Sequence, residues 1–225
     1  MEDIKANLER VHERVARAAE RAGRRAEDVL LIGVSKTVDV DRIREALAAG
    51  LTALGENRVQ EAKSKVETVG RPVPWHLIGH LQTNKARDAV ALFDVIHSID
   101  RVELAREVER RAAAQDRVVD VLLEVNLGGE GSKSGVTAEG VGGLLDAVSG
   151  LGHLRVRGLM AIPPAVERPE EARRWFRGLR EVAGRHGLKE LSMGMSVDFE
   201  VAIEEGATMV RVGTAIFGAR PARAA

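Results

Sequence analysis

Residues 29–36 read Val29-Leu30-Leu31-Ile32-Gly33-Val34-Ser35-Lys36, an apolar run that ends in polar residues. A short aliphatic run of this kind is typical of a parallel strand that is buried on both faces. The carboxyl ends of parallel strands are where α/β proteins keep their functional groups. We therefore predict a buried strand whose last residue, Lys36, presents a nucleophilic amine at the edge of a sheet. A lysine whose stem merely covers a strand end is the alternative.

Similar runs recur along the chain and alternate with helical stretches. The strand candidates are Val29–Lys36, Leu51–Gly55, Trp75–Leu81, Val95–Ile99, Val119–Asn126, Val156–Ile162, Glu190–Met195 and Met209–Phe217. The helix candidates between them are Asp41–Ala49, Arg58–Val69, Asn84–Ala91, Val102–Ala114, Ala138–Val148, Pro169–His186 and Phe199–Glu204. The spacing of Ile4, Leu8, Val11 and Val15 adds a helix before the first strand. Eight β-then-α units predict an α/β fold, a (β/α)8 TIM barrel with an extra N-terminal helix, as one domain over residues 1–225. An open doubly wound sheet is the alternative.

The charge balance, the lengths of the apolar runs and the lack of cysteine argue against several classes of function. The 225 residues include 34 basic and 34 acidic side chains, and this zero net charge argues against a nucleic-acid partner. No segment approaches the roughly 18 apolar residues of a membrane span, and the charged first residues carry no signal peptide. We expect a cytoplasmic protein without a membrane partner, as a monomer or a weak homodimer. The chain has no cysteine, which excludes disulfides and thiolate chemistry.

The last strand candidate carries the strongest sign of a ligand site. Strand alternation puts Arg211 and Gly213 on one face of this segment. An arginine inside a barrel is costly unless it is paired or meets a ligand. The amides of Gly213 and Thr214 are placed to hold a phosphate, since the loops after the last two strands are the usual phosphate site in such barrels. Ser196 ends the seventh strand and adds a hydroxyl beside them.

A lysine, a phosphate site and an arginine together suggest pyridoxal 5′-phosphate (PLP). Lys36 would form the Schiff base, and Arg211 would face the pyridine nitrogen. An arginine cannot accept a proton, so the ring nitrogen would stay unprotonated and the ring would be a weak electron sink. This argues against transamination.

The chain also resembles a known family through motifs spread over nearly its whole length. These are GVSKT at 33–37, GENRVQE at 55–61, WHLIGHLQTNK at 75–85, KSG at 133–135, GLMAIP at 158–163, LSMGMSVD at 191–198 and MVRVGTAIFG at 209–218. They resemble the pyridoxal-phosphate homeostasis proteins, whose barrel is related to the N-terminal domain of alanine racemase, without the C-terminal β-domain of that enzyme. The resemblance implies a cofactor Schiff base on Lys36, phosphate contacts from Ser196, Gly213 and Thr214, Arg211 near the pyridine nitrogen and Asn57 near the ring. His80 and Met193 are not expected to touch the cofactor, and at most they support the contacting residues from behind. Some members of the family have proline at the position of His80.

The resemblance favours a carrier that holds PLP and delivers it, with PLP-dependent apo-enzymes as recipients, over an enzyme. A racemase needs proton donors on both faces of the cofactor. In the related racemases a second domain supplies a tyrosine for one face, and this chain has no tyrosine. His80 is then the obvious candidate beside Lys36. A Schiff-base aldolase that uses Lys36 without PLP is a further alternative.

A metal site is not predicted. His76 and His80 are four residues apart, but they lie on a strand candidate rather than on a metalloprotease helix, and the sequence offers no evident third ligand. The glycine-rich segment around Lys133 lacks the spacing of a P-loop, and its role is left open.

Overall fold

The computed structural model describes residues 3–131 and 133–218. Within these residues, eight parallel strands pair in sequence order, and the last pairs with the first to close a barrel. The strands are β1 (Leu30–Val34), β2 (Leu54–Glu56), β3 (Trp75–Leu77), β4 (Val95–Ile99), β5 (Val119–Glu124), β6 (Leu154–Met160), β7 (Glu190–Met195) and β8 (Met209–Val212). Ile32 of β1 lies opposite Arg211 of β8 across the closing seam. The predicted barrel is confirmed, and the open sheet is wrong.

The helices surround the barrel, and one precedes it as predicted. They are α1 (Ile4–Arg21), α2 (Val40–Ala48), α3 (Val59–Val69), α4 (Ala86–Leu92), α5 (Val102–Ala113), α6 (Val141–Val148), α7 (Arg173–Arg185), α8 (Phe199–Glu204) and α9 (Thr214–Phe217). Helix α1 packs against α8 and α9 through an apolar face that includes Leu8 and Val15. No helix among residues 3–131 and 133–218 is both long enough and apolar enough to cross a bilayer.

The eighth strand is shorter than the sequence predicts. It ends at Val212, and the residues predicted to extend it, Thr214–Phe217, form the short helix α9. Gly213 turns the chain with φ −112° and ψ −77°, and its carbonyl accepts hydrogen bonds from the amides of Ile216 and Phe217. Apolar content alone could not separate the strand from a helix this short. The turn brings the Gly213 and Thr214 backbone to the carboxyl end of the barrel.

Strand alternation divides the core into two parts. Outward-facing residues pack against the helices, as Val210 and Val212 of β8 do. The barrel interior holds a small apolar cluster of Ile32, Ala53, Leu122, Met160 and Met209. Arg211 follows Met209 on the same face of β8, and Glu124 follows Leu122 on β5. The interior therefore changes from apolar to polar toward the carboxyl ends of the strands.

Candidate functional site

One cavity at the carboxyl ends of the strands brings the predicted residues together. It has a volume of about 270 Å³, and its lining includes Lys36, Asn57, Ser196, Arg211, Gly213 and Thr214. Its remaining walls are apolar and consist of Val34, Ile78, Ile162, Met195 and Val197. Among the described residues that line the cavity, none is an aspartate or a glutamate. The site therefore combines two cationic side chains and several hydrogen-bond donors with no opposing carboxylate in its wall.

A buried ion pair supports the segment that carries Lys36. The ammonium of Lys65, on α3, donates to the Ser35 carbonyl at 2.6 Å and to Glu56 Oε1 at 2.7 Å. The Ser35 hydroxyl donates to the same carboxylate oxygen at 2.7 Å. Burial raises the pKa of Glu56 in spite of the nearby ammonium. Because Glu56 is fully buried and Lys65 is 6% exposed, this cluster fixes the backbone immediately before Lys36.

The backbone after Lys36 is held as well. Thr37 has a φ of +61°, which is unfavourable for a β-branched residue. Its amide donates to Glu61 Oε1, and Glu61 also accepts from the Lys65 ammonium at 2.7 Å. Lys36 thus sits between two anchored residues, and its side chain enters the cavity from a rigid base.

Arg211 begins a chain of buried polar groups inside the barrel. It donates to the Ser192 hydroxyl at 2.7 Å and to the Ala161 carbonyl at 3.0 Å. The Ser192 oxygen lies 2.9 Å from His97 Nδ1, and His97 Nε2 lies 2.9 Å from His76 Nδ1. Since the Ser192 oxygen accepts from Arg211, its proton is free to point to His97, and His97 can then donate to His76. Every link of this chain has a donor and an acceptor.

Within this series of hydrogen-bonded side chains, Arg211 carries the positive charge and the two histidines are neutral. Burial lowers the pKa of His76 to about 4, and it lowers the pKa of His97 well below its usual value, helped by the neighbouring Arg211. Burial also lowers the pKa of Arg211 to about 10, so its guanidinium stays charged at neutral pH. In the described part of the chain, no carboxylate lies within ion-pair distance of it. The guanidinium lines the cavity, and the carboxylates of Asp198 and Glu124 act on it from beyond contact distance.

The amides predicted to bind phosphate, those of Gly213 and Thr214, lie on a turn that hydrogen bonds hold in place. The Gly213 amide donates to Ser196 Oγ at 3.2 Å, which joins the ends of β7 and β8. The Met195 amide donates to the buried carboxylate of Asp198 at 2.7 Å. Gly194 has a φ of +89°, and a Cβ there would lie 2.9 Å from Phe199 Cα, so a side chain is excluded.

Asn57 is positioned by a close backbone approach. A Cβ on Gly79 would lie 2.8 Å from Asn57 Cα and would overlap the Asn57 carbonyl oxygen. Position 79 therefore needs glycine for the loop after β3 to pass against the loop after β2. The contact therefore fixes the backbone of Asn57, whose side chain belongs to the cavity lining.

His80 and Met193, expected at most behind the cofactor contacts, do not reach the cavity itself. Met193 is fully buried on the outer face of β7, in the apolar core between sheet and helices. His80 is exposed, and its Nδ1 lies 2.9 Å from Ser134 Oγ. Neither residue lines the cavity. Lys133 forms an ion pair with Glu130 at 2.8 Å.

Several residues that shape the site were not predicted from the sequence. Ser192 and His97 occupy inward positions of their strands, and strand alternation could have placed them beside Arg211. Lys65 gave no signal, because a lysine on an amphipathic helix ordinarily faces water. Glu61 is its local partner, four residues before it, but its buried partners Glu56 and Ser35 are 9 and 30 residues away in sequence.

Comparison with known proteins identifies the family. The family model "Alanine racemase, N-terminal domain" matches residues 6–221. The pyridoxal phosphate homeostasis protein of Aquifex aeolicus is 49% identical over 220 residues, covering 95% of this chain and 96% of its own. The protein of that name from Pseudomonas aeruginosa is 46% identical over 224 residues, covering 98% of this chain and 97% of its own. The structure of PipY from Synechococcus elongatus with PLP bound has a TM-score of 0.81 at 41% identity, covering 89% of this chain and 100% of PipY. The resemblance expected from the motifs is thus confirmed, and this chain belongs to the pyridoxal phosphate homeostasis proteins, within the alanine racemase N-terminal domain family.

Proposed function

We propose that this protein binds PLP in the cavity at the carboxyl ends of the strands and acts as a carrier in PLP homeostasis inside the cell, without substrate turnover. The observation that carries the proposal is the pairing of Lys36 with a buried, charged Arg211 in one cavity that has no carboxylate among its described lining residues. The names of the relatives, and the bound PLP in PipY, support the same ligand.

The chemistry of the lining fits this cofactor. A phosphate monoester carries between one and two negative charges at neutral pH and offers three strong acceptor oxygens. In this proposal Ser196, Gly213 and Thr214 contact the phosphate, and the Lys36 amine holds the cofactor covalently as a Schiff base. When bound, PLP supplies an electron sink whose strength depends on protonation of its ring nitrogen.

Arg211 and Asn57 complete the proposed contacts. Arg211 offers only donors, so a pyridine nitrogen facing it accepts a hydrogen bond and stays unprotonated. Asn57 would lie near the ring, on the loop whose backbone Gly79 approaches closely. This arrangement holds the cofactor firmly while leaving its ring a weak electron sink.

The proton-transfer groups in the lining support binding without turnover. A racemase needs one proton donor on each face of the cofactor. None of the described lining residues is a histidine, aspartate or glutamate that could act as a second acid or base beside Lys36, and Arg211 stays charged. His80 does not line the cavity. We therefore favour a carrier over a racemase.

Two exposed apolar side chains at the opening of the cavity fit the release of PLP to a recipient protein. Val197 lines the cavity and is 69% exposed, and Ile162 beside it is 40% exposed. Exposed apolar side chains at an opening suit transient contact with another protein. We propose PLP-dependent apo-enzymes as recipients, and a monomer or a weak homodimer as the state that delivers the cofactor.

The test is the visible spectrum of the purified protein with added PLP, before and after borohydride reduction, for the wild type and Lys36→Ala. The matched control is Lys63→Ala, which removes an exposed lysine on α3. We expect cofactor absorbance in the wild type and the control, its loss in Lys36→Ala, and cofactor mass fixed on Lys36 after reduction. No absorbance in the wild type would refute the proposal and leave an aldolase without PLP. Racemisation of an amino acid that Lys36→Ala abolishes would refute the absence of turnover.

A further inference from the structure

Three side chains with metal-ligating atoms converge beside the cavity. His80 follows β3, Asp100 follows β4, and Glu124 is the last residue of β5. One ligand atom from each lies within 4.8 Å of the other two. The carboxyl ends of consecutive parallel strands lie side by side, so the barrel assembles this group from residues up to 44 positions apart. None of the three lines the cavity of Lys36 and Arg211.

One carboxylate oxygen of Glu124 is buried without a hydrogen-bond partner among the described residues. Glu124 is 9% exposed, and its Oε2 has no hydrogen-bond partner in the described part of the chain. A buried carboxylate oxygen is normally matched by a donor or a cation. The Asp100 carboxylate and the His80 imidazole lie beside Glu124, and the positive charge of Arg211 acts on it without a hydrogen bond to Oε2.

The other two side chains are already oriented by their neighbours. Ser134 Oγ lies 2.9 Å from His80 Nδ1, and a hydrogen bond there fixes the ring and leaves Nε2 for another contact. The Arg101 guanidinium donates to Asp100 Oδ1 at 2.6 Å, which leaves Oδ2 for another contact. Hydrogen bonds of this kind commonly stand behind the ligands of a metal ion.

We propose that His80, Asp100 and Glu124 bind one divalent transition-metal cation, with Zn²⁺ as the best match to one imidazole nitrogen and two carboxylate oxygens. Three protein ligands around zinc leave a position open to water or to a ligand. Bonds of about 2.1 Å place tetrahedral ligand atoms about 3.4 Å apart, so the group has to close slightly around the ion. His80 is exposed, so its side chain and Ser134 can shift together to make that adjustment.

The cluster revises the expectation that the chain has no metal site. That expectation considered His76 and His80 together, and His76 points into the barrel, where it contacts His97. The ligands that complete a set with His80 come from the two following strands. Nothing in this proposal depends on PLP, because the three residues lie outside the lining of the cofactor cavity.

The test is equilibrium dialysis of untagged, full-length, chelator-stripped protein without PLP against Zn²⁺, with bound metal measured by mass spectrometry. The variants are His80→Ala and the near-isosteric Glu124→Gln. His153→Ala is the matched control, since it removes a histidine that contacts a different carboxylate, Glu109, at 3.0 Å. Circular dichroism checks that each variant is folded.

We expect one zinc ion per chain in the wild type and in His153→Ala, with affinity reduced about 100-fold or more in His80→Ala and in Glu124→Gln. Because His80 is exposed, its removal tests the site without disturbing the core. Absence of stoichiometric zinc in the wild type would overturn the proposal. Zinc binding that both His80→Ala and Glu124→Gln leave unchanged would do so too, since the ion would then lie elsewhere.

Discussion

Lys65→Met tests whether the buried ion pair beneath Lys36 organises the site. The substitution keeps the length of the side chain and removes a charge that is 6% exposed. It leaves Glu56 fully buried without its cationic partner and removes the hydrogen bond to the Ser35 carbonyl. Removing one member of a buried pair costs about 3–5 kcal/mol. We expect a loss of that size in the free energy of unfolding, measured by urea denaturation.

Two controls separate the ion pair from a general effect of the substitution. Lys63→Met, on the exposed face of the same helix, should change stability by no more than about 0.5 kcal/mol. Adding Glu56→Gln to Lys65→Met removes the stranded charge, so the double variant should regain part of the loss, with a coupling energy of about 0.5–3 kcal/mol. A loss below about 1 kcal/mol in Lys65→Met, or strict additivity in the cycle, would refute the reasoning.

Three more predictions concern the cavity and the buried chain. Gly79→Ala should weaken PLP binding about tenfold in equilibrium dialysis, because the new Cβ displaces Asn57; Gly143→Ala, where a Cβ meets open space, should not. Pyridoxal should bind at least about 100-fold more weakly than PLP in the same assay, since each charge-assisted hydrogen bond is worth about 1.5–3 kcal/mol; equal affinities would contradict a phosphate site. Burial lowers the pKa of His76 from its ordinary value of 6.5 to about 4, so the unfolded chain protonates this imidazole at a higher pH than the folded chain does. His76 by itself should therefore lose about 3 kcal/mol of stability as the pH falls through this window, and His97, whose pKa is also lowered, should add to the loss. His76→Gln should flatten the pH dependence of the urea midpoint, and an unchanged slope would show that another group is responsible.

The barrel and the convergence of Lys36, Arg211 and Thr214 could be predicted from the sequence because both depend on strand periodicity, whereas Asn57 was expected from the family resemblance alone. The aliphatic runs marked the eight strands, and alternation put Arg211 on the inner face of the last one. Residues at the carboxyl ends of parallel strands must lie near one another once the barrel closes. This is why Lys36 and Thr214, far apart in the chain, were expected in one site and line one cavity.

What could not be predicted depends on contacts that periodicity does not encode. The end of β8 at Val212 follows from the turn at Gly213, which no apolar pattern marks. Lys65 reads as an ordinary solvent-facing lysine until the fold places α3 over Glu56. His80 reads as an isolated histidine until Asp100 arrives beside it from the next strand. In each case the partner is supplied by the tertiary structure rather than by a local pattern.

The partners of Arg211 bear on why binding without turnover is the favoured function. A carboxylate beside the guanidinium would stabilise it, but it would also cancel its field and add a proton acceptor to the site. Instead Arg211 contacts a hydroxyl and a carbonyl, and the two histidines behind it remain neutral at physiological pH because burial lowers their pKa values. The chain thus keeps a buried positive charge in the cavity wall without a carboxylate in contact with it. Such an arrangement stabilises an anionic ligand and gives its bound state little chemistry to perform, as a carrier requires.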